Sequence, residues 1–187
     1  MKLIDTHCHL TFENLAGDIS GVIGRSIEAG VDGFVTVATE PADMQKVLAV
    51  ARAYEHVWAA IGFHPHNAKD VSEDDLVAME KAASENKKVV AIGEAGLDYH
   101  YDHSPREVQQ EIFRAQLGIA ERTNKPVIVH SREAFDETLV VLDEFAGKIK
   151  DVVIHCYSGT AEQTKLLLDM GYYISFTGIV TFKKSEQ

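Results

Sequence analysis

Seven short apolar runs rich in β-branched residues recur along the chain, at 3–4, 33–37, 57–61, 89–92, 126–129, 152–154 and 172–176. Between them lie segments with the apolar spacing of helices, at 19–29, 42–54, 75–85, 105–122, 135–145 and 161–170. Strands that are apolar throughout and alternate with helices require a parallel sheet covered by helices. Helix boundaries agree with this division. Ser104-Pro105-Arg106-Glu107 predicts an N-cap, a proline in the first turn and a capping-box glutamate, and Thr160-Ala161-Glu162-Gln163 repeats the pattern. Gly30 and Gly171 follow two helical segments, where a left-handed residue closes the last turn.

Two architectures satisfy this order, an open doubly wound sheet and a closed barrel. The doubly wound nucleotide-binding fold places a glycine-rich turn after its first strand, and here that position reads Asp5-Thr6-His7-Cys8-His9. The expected fold is therefore α/β, a (β/α)8 TIM barrel. Such a barrel takes about 250 residues and eight strands. With seven strands in 187 residues, the chain is expected to be a single hydrolase barrel domain over 1–187, truncated after strand seven. The segment 182–187 reads as a loop entering a further helix.

The chemistry is carried by polar residues at the ends of these runs. Side chains alternate along a strand, so His7 and His9 share a face and can grip one cation together. Glu94 follows the apolar run 89–92, where an uncompensated charge is costly. Its two oxygens suit it to bridge two ions. His130 and His155 end two later runs in the same way. This set of nitrogen and oxygen ligands suits two divalent metal ions, Mg2+, Mn2+ or Zn2+, without a thiolate. Cys8 and Cys156 are read as reduced and buried. His64 and His66 are expected to contact substrate or its phosphate, and Arg132 to clamp a phosphate in bidentate fashion. Asp98 is a candidate substrate contact or an acceptor that orients a histidine. Tyr99 and Tyr101 are candidates for stacking on a base.

The motifs Asp5-Thr6-His7-Cys8-His9-Leu10, Gly62-Phe63-His64-Pro65, Gly93-Glu94-Ala95-Gly96-Leu97-Asp98-Tyr99, Pro126 to Arg132, and His155-Cys156-Tyr157-Ser158-Gly159 together resemble the TatD family of metal-dependent deoxyribonucleases. The likeness spans almost the whole chain. It implies that His7 and His9 hold one metal, that His130 and His155 hold the other, and that Glu94 touches both. It also implies an aspartate at the end of an eighth strand, for which this sequence has no counterpart.

The reading that follows is a divalent-metal-dependent hydrolase, a 3′-5′ exonuclease-like deoxyribonuclease acting on DNA or RNA through a water activated by the metals, with Glu94 at the catalytic centre. Two alternatives stay open, an amide or ester hydrolase on the same barrel and a non-catalytic metal-binding protein. A net charge of -11 disfavours holding nucleic acid by surface charge, so bound cations must supply the local positive field. No signal peptide or membrane anchor is visible at the N-terminus, which predicts a cytoplasmic protein without membrane contact. A monomer is expected for a complete barrel, and association for one with open strand edges.

Overall fold

The computed structural model describes residues 3–183. Seven parallel strands alternate with helices: β1 (Leu3–Cys8), α1 (Glu13–Ala16), α2 (Ile19–Glu28), β2 (Val31–Val37), α3 (Pro41–Ala53), β3 (Val57–Ile61), α4 (Glu73–Glu85), β4 (Val89–Asp98), α5 (Arg106–Thr123), β5 (Val127–Arg132), α6 (Phe135–Asp143), β6 (Val152–Ile154), α7 (Ala161–Asp169) and β7 (Tyr173–Ile174). Each strand pairs with its neighbour in sequence, giving the spatial order β1 to β7 of an incomplete (β/α)8 barrel. This is the architecture expected. The loop expected at 182–187 lies, from residue 184 onward, outside the described residues. No helix among the described residues is long and apolar enough to cross a membrane.

The two faces of the sheet bury different sets. One face packs on the helices, with Val57, Ala59, Ile61, Val127, Val129 and Ile154 in the main core. The other carries a small cluster of Val37, Ala60, Ala91 and Ile128 in the barrel interior. Alternation along β5 then carries His130, two residues beyond Ile128, onto the interior face at the carboxyl end of the barrel. β1 and β7 are the edge strands, and their apolar side chains stay exposed, Ile4 at 63% and Tyr173 at 58%.

Thr160 and Gln163 form the expected reciprocal cap of α7. Gly30 and Gly171 adopt positive φ values of 98° and 78° after α2 and α7. The cap expected at Ser104 does not form, because Pro105 is the N-cap of α5. The Ser104 hydroxyl is instead engaged across the fold, donating to the His66 carbonyl at 2.8 Å and accepting from the Lys69 amide at 3.1 Å. It ties the loop after β3 to the loop after β4.

Two glutamines of α5 were not singled out by pattern, because a polar residue on a helix's core face looks like a misfit in a single sequence. Gln116 is 1% exposed. It accepts from the Phe63 amide at 2.7 Å and donates to the Phe63 carbonyl at 3.0 Å, so it fixes the backbone beside His64. Gln109 does the same for β4, accepting from the Asp98 amide at 2.8 Å and donating to the Asp98 carbonyl at 3.1 Å. Gln116→Leu keeps the volume but leaves a buried amide and carbonyl unpaired, each worth about 1–3 kcal/mol. The expected loss is about 3 kcal/mol of stability, read as a lower urea midpoint. An unchanged midpoint would show that the strand end does not depend on this clamp.

Candidate metal centre

Four strand ends and one loop converge at the carboxyl face. β1 supplies His7 and leads directly into His9, β4 supplies Glu94 and Asp98, and β5 supplies His130. His155 directly follows β6, and His64 sits in the loop that leaves β3. β4 runs six residues beyond its apolar run, and its pairing with β5 continues through Gly96↔His130 to Asp98↔Arg132. That continuation is what brings Glu94 and His130 side by side.

Glu94, 5% exposed, faces a different pair of imidazoles with each oxygen. Its Oε2 lies 3.2 Å from His7 Nε2 and 3.9 Å from His9 Nε2. Its Oε1 lies 2.9 Å from His130 Nδ1 and 3.8 Å from His64 Nε2. Two three-residue groups, His7-His9-Glu94 and His64-Glu94-His130, therefore each hold their donor atoms within 4.8 Å of one another.

Hydrogen bonds on the far side of the rings decide which nitrogen is available. His9 Nδ1 donates to the Val37 carbonyl at 3.2 Å, since a carbonyl only accepts, and this leaves the Nε2 lone pair facing Glu94 and His7. His130 Nε2 donates to Asp98 Oδ2 at 3.0 Å, which turns Nδ1 toward Glu94. His64 differs. Its Nδ1 accepts from the His66 amide at 3.2 Å, so a neutral His64 carries its hydrogen on Nε2 and is a donor into the site.

Burial disfavours charge at His9, His64, Glu94, Asp98, His130 and His155, and their partners decide the outcome. Burial lowers His64 to about 3 and His155 to about 4, and it also lowers His9, so these rings keep neutral imidazole character. Burial opposes the charged form of His130 as well, yet hydrogen bonds to Asp98 and Glu94 outweigh it and raise that ring to about 9. Burial alone would raise Glu94 and Asp98. Hydrogen bonds from His130, joined by His7 at Glu94 and by His66 and the Tyr101 amide at Asp98, hold both carboxyls low.

The residues present fit a divalent cation. Among the described residues His7 Nδ1 and His155 Nδ1 are buried without a hydrogen-bond partner, and the Nε2 atoms of His7 and His9 approach to 3.2 Å, a distance suited to a shared ion. A buried carboxylate among mostly neutral imidazoles completes such a donor set.

The sequence matches the family described as TatD related DNase over residues 4–187. It is 39% identical over 185 residues to an uncharacterized metal-dependent hydrolase of Bacillus subtilis, spanning 99% of this chain and 72% of that one. It is 35% identical to a protein of Salmonella typhimurium named 3′-5′ ssDNA/RNA exonuclease TatD, spanning 95% of this chain and 68% of that one. The solved structure of a TatD homolog from Escherichia coli superposes with a TM-score of 0.91 at 34% identity, over 98% of this chain and 71% of that one.

The chain belongs to the TatD family. It is accordingly a member of a metal-dependent hydrolase family whose barrel it shares. Within this TatD fold, the five residues expected to ligate metal converge on one place, with a difference in pairing. His155 does not join His130 in either three-residue group. Its ring stacks on His7 at 3.4 Å between centroids, while His64 takes the position beside His130.

Asp98 is 0% exposed, and its Oδ2 bonds His66 at 2.9 Å as well as His130. It can orient a histidine, and the expectation that it touches substrate does not fit its burial. Tyr99 is buried, with its hydroxyl accepting from Gln110 and its ring beneath Arg106, so it packs rather than offering a stacking face. Tyr101 and Arg132 stay exposed at the rim, with the guanidinium 4.7 Å from the ring centroid. Cys8 and Cys156 are free thiols, and burial pushes Cys8 up to about 12.

Proposed function

We propose that this chain is a metal-dependent 3′-5′ exonuclease that cleaves phosphodiester bonds of single-stranded DNA, and of RNA, with two divalent ions. The single observation that carries the reading is Glu94, whose two oxygens face separate imidazole sets. His7 and His9 with Oε2 would hold one ion. His130 with Oε1 would hold the second, and His155, stacked on His7, is the remaining imidazole of the cluster. A pair of divalent ions supplies charge to steady the phosphorus oxygens and acidifies water for in-line displacement.

The chain's own residues supply orientation. Asp98 fixes the face that His130 presents, and Gln109 fixes the backbone of Asp98. His64 points a donor nitrogen at the same space and suits a phosphate oxygen better than a cation. Arg132, exposed beside Tyr101, would clamp a neighbouring phosphate. In this reading residues 1–187 act as one hydrolase domain, and the cations offset the acidic balance of the chain when a polyanion approaches.

End-labelled single-stranded DNA offered with Mg2+ or Mn2+ tests the proposal. Mononucleotides should appear from the 3′ end and stop on addition of chelator. Intact DNA beside hydrolysis of an ester or amide panel would overturn it.

Metal loading should also release protons. Metal-free His130, raised to about 9, is protonated at pH 7.5, whereas His64 at about 3 is already neutral. Loading should therefore expel about one proton per chain at pH 7.5, falling toward zero above pH 9. Calorimetric titration in buffers of different ionisation enthalpy measures this, and a pH-independent zero would remove His130 from the ligand set.

A further inference from the structure

A cavity of about 290 Å3 adjoins the candidate metal centre, lined by Glu94, His9, His64 and His66 of that cluster together with Phe12, Thr39 and Asn67. Phe12 is 45% exposed although it lies beside a buried cluster. Its position is fixed locally, because its amide bonds the His9 carbonyl at 3.2 Å and it caps α1. The ring lies parallel to His9, 4.4 Å between centroids and 13° between planes. Stacking on His9 places that ring along the cavity wall and still leaves nearly half of the residue open. In the same lining, Asn67 is held by donating its side-chain amide to the Thr39 carbonyl at 3.0 Å, which sets a carboxamide beside the same space.

An exposed aromatic ring, a fixed carboxamide and a buried carboxylate among imidazoles in one cavity describe a site for a flat heteroaromatic group attached to an anion. The volume admits one nucleoside. A base in a duplex is already stacked and paired, so only an unpaired one can enter, and stacking on a ring tolerates any of the four bases. We infer that Phe12 is a specificity-determining residue that stacks the base of the nucleotide next to the scissile phosphate, and so selects single-stranded ends. This rests on the nuclease reading and names the part of the substrate that the cavity takes.

Binding separates the two. A fluorescent single-stranded oligonucleotide with phosphorothioate linkages at its 3′ end is titrated in Ca2+ by anisotropy, with the bases of the last two nucleotides present or singly replaced by an abasic unit. Wild-type protein should bind the intact strand about tenfold more tightly than one of the abasic strands, the size expected of one base on one ring. Phe12→Leu keeps an apolar cover on His9 but has no ring. It should weaken the intact strand by about tenfold and leave the abasic strand unchanged, and Phe12→Tyr should restore the difference.

Equal weakening of intact and abasic strands by Phe12→Leu, with lower metal content, would reduce Phe12 to a cover for His9 and overturn the inference. So would a wild type that ignores base removal or fails to bind. Base-dependent binding without any hydrolysis in Mn2+ would instead sink the nuclease reading and leave the stacking site standing.

Discussion

Glu94→Gln should lower kcat/KM on single-stranded DNA by about a thousandfold, the scale of removing one charged group from a transition state steadied by preorganised charge. The substitution keeps shape and volume at a site that is 5% exposed. It removes the carboxylate that, among the described residues, reaches both imidazole sets, His7 and His9 through Oε2 and His130 through Oε1. The metal content of the purified variant should fall with activity, while circular dichroism stays unchanged. A variant that retains two ions and normal turnover would exclude Glu94 from the centre.

Gly96→Ala should cost about 4 kcal/mol, combining backbone strain and overpacking. Gly96 has φ +145, and a Cβ there would lie 1.9 Å from the His130 carbonyl oxygen. Since Gly96 is the ladder partner of His130, the only relief is to separate β4 from β5, which carries His130 away from Glu94. Activity should therefore fall with the urea midpoint. Gly24→Ala is the control, because a Cβ at this position within α2 meets nothing within 4 Å and a helical alanine is favoured over glycine by about 1 kcal/mol. Equal midpoints for the two variants would refute the close approach of the strands.

Both predictions concern β4, the element least legible in the sequence. Its apolar run predicts a strand over 89–92, and the structure continues it to Asp98 through Gly93 and Gly96. Glycine weakens a strand pattern locally, and here it is required because the neighbouring strand lies too close for a side chain. The signal was present as a repeated glycine after an apolar run. Its meaning depends on β5, more than thirty residues away.

Local rules carried much of the rest. Period-two alternation in β1 puts His7 and His9 on one face, the alternation of apolar runs with helical segments implies a parallel sheet, and Asp5 to His9 in place of a glycine-rich turn favours the barrel. The Thr160 cap likewise depends only on residues 160 to 163. By itself, then, the sequence determined the barrel, the face on which chemistry sits and the residue types that meet there.

Tertiary structure alone decided who meets whom. His64 lies beside His130 while His155 stacks on His7, Ser104 bonds His66 rather than capping α5, and Gln109 and Gln116 clamp strand ends from a distant helix. Periodicity tells a residue which side of its own element it occupies. The stagger between neighbouring strands, shifted at β1–β2, at β3–β4 and at β4–β5, sets which side chains from different elements share a space, and no local pattern records it.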